Sequence, residues 1–196
     1  MSEYRAPLRD MQFVLRELAG LDEIAKLPGC EEVSSELVSQ ILEEAAKFSG
    51  EVLSPLNKPA DEEGSTWENG AVRTPKGFKE AYREFVQGGW NSMQAPPEYG
   101  GQGLPKTVTT PVIEMLKSAN LSFSLCPMLT SGAVEALLLR GSEQLKSVYV
   151  RKLVEGAWTG TMNLTEPQAG SGLALVKTRA TREGDHQRLR GEKSFI

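Results

Sequence analysis

The hydrophobic period of this chain changes once, at Ala157, and that change limits the fold more than any other feature. Upstream, apolar residues recur every three to four positions. Leu37, Val38, Ile41, Leu42, Ala45 and Ala46 share one face at helical spacing, and Phe78, Ala81, Tyr82, Phe85 and Val86 make a second stripe. Downstream, in AWTGTMNLT, the residues Trp158, Met162 and Leu164 alternate with Thr159, Thr161 and Asn163, the period of a half-buried strand. The expected fold class is therefore mainly α with a C-terminal β portion: a helical domain over 1–155, then an incomplete β domain over 156–196.

Punctuating residues set the expected elements. A short amphipathic helix over 8–19 stops at Gly20, and a longer one runs from Ser35 to Leu53, where Pro55 and Pro59 end or bend it. DEEGSTWENG (61–70) reads as a polar turn region. Thr74-Pro75 reads as a helix start with proline in the first helical position, closed by Gly88-Gly89. NSMQAPPEYGGQGLP (91–105) is too rich in Pro and Gly for a regular element. Apolar helices over 107–126 and 131–140 are expected to join near Cys126-Pro127, and Ser142 to cap a helix carrying Leu145, Val148, Tyr149 and Leu153. Further strands are expected over 173–183 and 186–196, turning at Glu183-Gly184-Asp185. Three strands are few for an independent domain, and the last stops on Phe195-Ile196 without a polar ending, so the β part reads as cut. Open strand edges and apolar surface lead us to expect self-association, hence a homo-oligomer.

Composition excludes some functions. A net charge of -4 and a pI near 5.3 argue against nucleic-acid binding, which needs a basic face. A polyphosphate-bearing cofactor stays compatible, because such sites use local amides. With 39% hydrophobic and 24% charged residues, a packed core is expected rather than disorder. Cys30 and Cys126 lack any metal-ligand spacing and are expected as free thiols. The single His186 leaves little material for a metal site or a histidine-based triad and reads as exposed. MSEYRAPLRDMQF has no apolar signal core, and no stretch approaches the ~20 apolar residues of a membrane span. A soluble, cytoplasmic protein is expected. Lys177, Arg179 and the acids of 31–44 read as solvated surface.

The chemistry concentrates in TMNLTEPQAGSG (161–172). Met162 to Ser171 offers backbone amides, the hydroxyls of Thr165 and Ser171, and the small residues Ala169, Gly170 and Ser171. Clustered amides bind oxyanions or the carbonyls of a heterocycle, and small residues let a ligand approach closely. From the residues alone, a polar interstrand connection shaped by Pro167 and Gly170 is the favoured reading.

MNLTEPQAGS resembles the flavin-binding segment of the acyl-CoA dehydrogenase family, whose pattern is TEPxAGSD. PPEYGGQG (96–103) resembles that family's P-E-x-x-G-G-x-G loop, and GEKSFI (191–196) its later G-x-K-x-[WF]-I strand. The order is right, the resemblance covers nearly all of the chain, and it is nearest to the longer subgroup acting on 3-methylthiopropanoyl-CoA. The resemblance implies a helical N-terminal domain and the start of a β middle domain. It implies FAD as cofactor, with Met162, Leu164 and Thr165 contacting the isoalloxazine through amides and the Thr165 hydroxyl, Phe195 packing on the ring and Ile196 beside it. Ser171 would lie near coenzyme A, and Leu125, Pro127 and Met128 would border the acyl tail. Implied partners are an acyl-CoA substrate and an electron-transfer flavoprotein or similar acceptor.

The implied reaction is α,β-dehydrogenation of an acyl-CoA in fatty acid metabolism. Its carboxylate base belongs to a C-terminal bundle, so no catalytic residue is assigned here and the fragment is expected to be inactive alone. Glu166 reads as a structural acid bonding nearby amides, and Glu98 as a loop-fixing one. Gly172 departs from the pattern, which has Asp there. Two other functions stay in view: a non-catalytic binding or assembly module on the same scaffold, and an acyl-CoA oxidase or flavin monooxygenase.

Overall fold

A computed structural model describes residues 4–195, so Ile196, one of the implied flavin contacts, lies outside the described residues. The chain divides into two compact units, Met1–Gly160 and Thr161–Ile196.

The first unit is helical. α1 (Leu8–Phe13) runs into a π-helical turn, Val14–Leu18, and is followed by α2 (Leu21–Ile24). α3 (Ser35–Lys47) begins where Ser34 Oγ accepts the Leu37 amide at 3.1 Å, and it buries Val38, Leu42 and Ala45. The prolines do not end this rod. A π-helical turn, Phe48–Leu53, carries it into α4 (Ser54–Glu63), with Pro55 in the first turn and Pro59 inside. The wider turn changes the bonding pattern just before Pro55, so its missing N–H falls where a helix start has no partner to lose.

Two other boundaries depart from expectation for local reasons. β1 (Thr66–Glu68) and β2 (Ala71–Arg73) pair antiparallel inside the expected turn region. Asn69 at φ 52° and Gly70 at φ 79° both adopt left-handed backbone, the requirement of a two-residue hairpin turn. α5 (Phe78–Gln87) starts after Gly77 rather than at Pro75, because Gly77 at φ 85° interrupts any helix begun before it.

α6 (Lys106–Ala119) and α7 (Leu121–Arg140) part at Asn120, not near Cys126-Pro127. Asn120 is extended and fully buried. Its Oδ1 accepts the Phe123 amide at 3.1 Å, while its Nδ2 donates to the Leu53 carbonyl at 3.2 Å. Pro127 removes one bond inside α7 but does not break it. By length and composition α7 could cross a membrane, with 20 residues and a mean hydropathy of 1.4, which corrects the expectation that no stretch approaches such a span. Here it sends Phe123, Ser124, Thr130 and Val134 into the core of the unit.

Phe85 is central to that core. Its ring lies 6.2 Å from Phe48 and Tyr82 and 5.9 Å from Phe123, amid buried Leu42, Leu53, Val108, Val112 and Met115. A smaller cluster of Ala95, Val134, Val150, Leu153 and Val154 joins α7 to the last helical segment. That segment is α8 (Glu143–Leu145), a π-helical turn (Lys146–Val150) and α9 (Arg151–Val154), capped as expected by Ser142 Oγ on the Leu145 amide at 3.3 Å.

In the second unit β3 (Arg179–Glu183) pairs antiparallel with β4 (His186–Arg190) across Gly184-Asp185. The expected strand over 157–165 does not form: Trp158 belongs to the first unit, its ring 5.9 Å from Tyr149 and under the Lys152 ammonium at 4.1 Å, and residues 161–165 pair with no strand among the described residues. β3 starts at Arg179 rather than 173 because Leu173–Leu175 winds into a 3-10 turn, Leu175 N donating to Gly172 O at 3.0 Å. β4 ends at Arg190, where Gly191 packs so closely on Thr178 that a Cβ would overlap it.

Candidate functional site

The second unit is organised around one acid. Glu166 is 3% exposed, and its carboxylate accepts the Lys177 amide (2.8 Å), the Thr178 amide (3.0 Å), Gln168 Nε2 (2.6 Å) and the Lys193 ammonium (3.0 Å). The Thr178 side chain beside it, the Lys177 amide, Lys193 and the Thr178 amide outweigh desolvation and hold its carboxyl far below the usual carboxylate range. Its backbone also pairs with Ala169 in both directions at 3.0 Å, closing the Pro167-Gln168 turn. Glu166 thus has the amide-holding role read from the sequence. It is a fixed negative charge tying 164–169 to 177–178 and 193.

Just before it the chain is extended and open. Met162 is 63% exposed and Leu164 39%, and Thr165 is half-buried. Among the described residues the amides of Met162, Leu164 and Thr165 donate to no partner. Their carbonyl side is held: Lys193 Nζ donates to Leu164 O at 3.1 Å, and the Ser194 amide donates to Thr165 O at 3.0 Å. The second bond puts Phe195 next to Thr165. Phe195 sits at φ 58°, left-handed backbone that is rare for a bulky residue, with its side chain 99% exposed.

The structure therefore places Met162, Leu164 and Thr165 on one open edge, and Phe195 one residue beyond the Ser194 amide that binds Thr165 O. It does not bring Ser171 to them. Ser171 is exposed, and among the described residues its hydroxyl has no partner. Gly172 has φ −85°, and a Cβ there would meet only Leu175 Cδ1 at 3.7 Å, so the backbone does not require glycine and an acid would fit. Lys193 is the residue that sequence reasoning missed; its one signal was its place in GEKSFI.

The first unit holds an apolar cavity of about 440 Å³, whose wall includes Tyr82, Phe85, Trp90, Phe123, Pro127 and Met128. Pro127 and Met128, implied by the resemblance to border an acyl tail, both line this cavity. Leu125 does not line this cavity and is 46% exposed. The PPEYGGQG loop is tightly closed, with Leu104 N on Met93 O at 2.8 Å and Gly103 N on Ala95 O at 3.0 Å. A Cβ at Gly101 would overlap the Ala95 carbonyl, which is why glycine stands there. Glu98 fixes this loop through its carbonyl, which accepts Arg151 Nη2 at 3.1 Å, and not through its carboxylate as expected. Cys30 and Cys126 are free thiols, and burial pushes the Cys126 thiol up. Among the described residues no cluster of metal-ligating side chains occurs.

Comparison with known proteins gives the family of the chain. Residues 35–157 match the family described as acyl-CoA dehydrogenase, N-terminal domain. The chain is 44% identical to 3-methylmercaptopropionyl-CoA dehydrogenase of Ruegeria pomeroyi over 194 residues, which is 98% of this chain and 33% of that protein. Among solved structures it resembles the glutaryl-coenzyme A dehydrogenase glutaryl-CoA complex, with a TM-score of 0.68 and 25% identity, over 81% of this chain and 38% of that one. The structure of PigA with FAD and proline shares the fold at a TM-score of 0.67 and 23% identity, over 83% of this chain and 40% of that one. The chain spans about a third of the length of the curated relatives it matches.

Proposed function

The chain belongs to the acyl-CoA dehydrogenase family, and from that premise we propose that it supplies the helical domain and part of the flavin site of an FAD-dependent enzyme that dehydrogenates an acyl-CoA thioester. The carrying observation is the open edge of amides at Met162, Leu164 and Thr165, which donate to no partner among the described residues and are held from behind by Glu166, Lys193 and Ser194.

That edge fits a flat heteroaromatic ring. The amides and the Thr165 hydroxyl can hydrogen-bond its polar rim, and Phe195, exposed and adjacent, supplies an aromatic face. Held by Met162, Leu164, Thr165 and Phe195, FAD would supply hydride acceptance for the dehydrogenation. Donors on the pyrimidine rim favour negative charge there, and these amides are fixed before the ligand arrives. Glu166 does not serve as the base that takes the α-proton: its carboxylate is charged, buried and satisfied by several donors, so protonation is strongly disfavoured.

The first-unit cavity, lined in part by Pro127 and Met128, suits a short apolar acyl group such as the one named for the Ruegeria pomeroyi relative. Ser171 faces the coenzyme A portion, and an electron-transfer flavoprotein or a similar carrier takes the electrons. The complete protein works as an oligomer. The backbone at Gly172 would accept an acid side chain, so restoring aspartate there is sterically open.

Purified 1–196, given FAD, an acyl-CoA and a dye acceptor, is expected to show no turnover while binding FAD at micromolar concentrations or more weakly. Measurable turnover would overturn the inactivity of the fragment. Absence of any FAD binding at near-millimolar ligand would overturn the flavin site.

A further inference from the structure

We infer that Lys193 is a positioning residue for cofactor recognition, one that fixes and polarises the peptide whose N–H Thr165 presents to the flavin. The inference rests on the flavin reading above and adds a residue and a mechanism to it.

The geometry is specific. Lys193 Nζ lies 3.1 Å from Leu164 O and 3.0 Å from Glu166 Oε1, so one ammonium bridges a backbone carbonyl and a buried carboxylate. Glu166 is only 2% exposed at its side chain and Lys193 25%, so the pair is shielded enough to keep its orientation. The Leu164 carbonyl and the Thr165 N–H belong to one peptide unit. No cis peptide occurs, and in a trans unit the N–H points opposite to the C=O. Lys193 therefore stands behind the Thr165 N–H, which is turned away from it and donates to no partner among the described residues.

A cation on a carbonyl draws charge through the peptide and strengthens the N–H at its other end as a donor, the familiar cooperativity of hydrogen-bonded chains. The next unit is treated alike: Ser194 N–H donates to Thr165 O at 3.0 Å. Structural satisfaction of Glu166 alone does not need this arrangement, since its carboxylate already accepts two amides and Gln168. The reach to Leu164 is what a purely structural ion pair would lack.

The test uses the 196-residue chain and three variants, Lys193→Met, Lys193→Arg and the double variant Lys193→Met/Glu166→Gln. The double variant guards against misfolding from an uncompensated buried carboxylate. The Thr165 amide proton, read by 15N–1H NMR without ligand, is expected to move upfield in Lys193→Met and in the double variant and to return toward wild type in Lys193→Arg. FAD affinity is expected to fall about tenfold in the first two, because the Thr165 peptide loses both its fixed orientation and the cation that polarises its N–H, and to recover at least in part in Lys193→Arg. An unchanged Thr165 amide in the folded double variant, or FAD affinity within twofold of wild type in both methionine variants, overturns the inference. If wild type itself binds no FAD, the flavin reading fails and the recognition role of Lys193 with it, while the amide shift still decides whether Lys193 polarises that peptide.

Discussion

Replacing Asn120 with alanine should destabilise the helical unit by about 2–3 kcal/mol, more than most single polar-to-alanine changes. The side chain is fully buried and performs two tasks. Its Oδ1 caps α7 by accepting the Phe123 amide at 3.1 Å, and losing such a cap costs about 1 kcal/mol. Its Nδ2 donates at 3.2 Å to the Leu53 carbonyl, in the π-helical turn between α3 and α4, and losing that bond costs about another 1 kcal/mol. The space left by the amide adds a smaller cavity contribution. Asn120→Ser keeps a capping oxygen without reaching Leu53, so it should lose about half as much. Asn120→Asp keeps the cap but aims a buried charge at a carbonyl, so it should cost at least as much as alanine. Urea denaturation followed by far-UV circular dichroism measures all three. A loss below about 0.5 kcal/mol for Asn120→Ala, or aspartate at wild-type stability, would refute the claim that this residue links the two helical segments.

Gly101→Ala should cost about 2–3 kcal/mol, because the added methyl overlaps the Ala95 carbonyl and the closed 92–104 loop must yield; thermal denaturation reads it. Glu166 titrates in the folded chain well below its unfolded value of ~4.3, so its stabilising contribution is complete above about pH 5 and is lost as the solution is acidified below that. Hydrogen exchange at Lys177 and Thr178 should rise on acidification in wild type, beyond the intrinsic rate change, and Glu166→Gln should remove that dependence. Met128→Trp should fill part of the 440 Å³ cavity and weaken uptake of an apolar fluorescent probe with little loss of helix content. The β3–β4 hairpin leaves Leu189 71% exposed and, among the described residues, its outer edges unpaired, so light scattering should show mass increasing with concentration.

Much of the helical unit was legible because amphipathic periodicity and side-chain caps act locally: the Ser142 cap and the Phe85 stripe stand where the residues put them. The errors arose where tertiary context overrode a local signal. Pro55 and Pro59 look like helix stops, but the preceding π-helical turn absorbs them. Pro127 looks like a break, yet the break falls at Asn120, whose second partner, Leu53, lies 67 positions away. The Asn69-Gly70 dipeptide is a hairpin signal inside what composition alone reads as a polar turn region. The alternation around Met162 did indicate extended chain, but a strand needs a partner, and residues 161–165 pair with none. At the site, Thr165 and its neighbours were visible as a motif. Lys193 was not, because its role depends on a contact with a carbonyl 29 positions earlier.

The central claim, that the Met162–Thr165 edge presents its amides to a flavin, is tested most directly by titrating 15N-labelled chain with FAD. The account predicts saturable downfield shifts of the Met162, Leu164 and Thr165 amide protons, together with broadening of the Phe195 signals. Saturable binding that leaves these amides unmoved and perturbs residues elsewhere would contradict it.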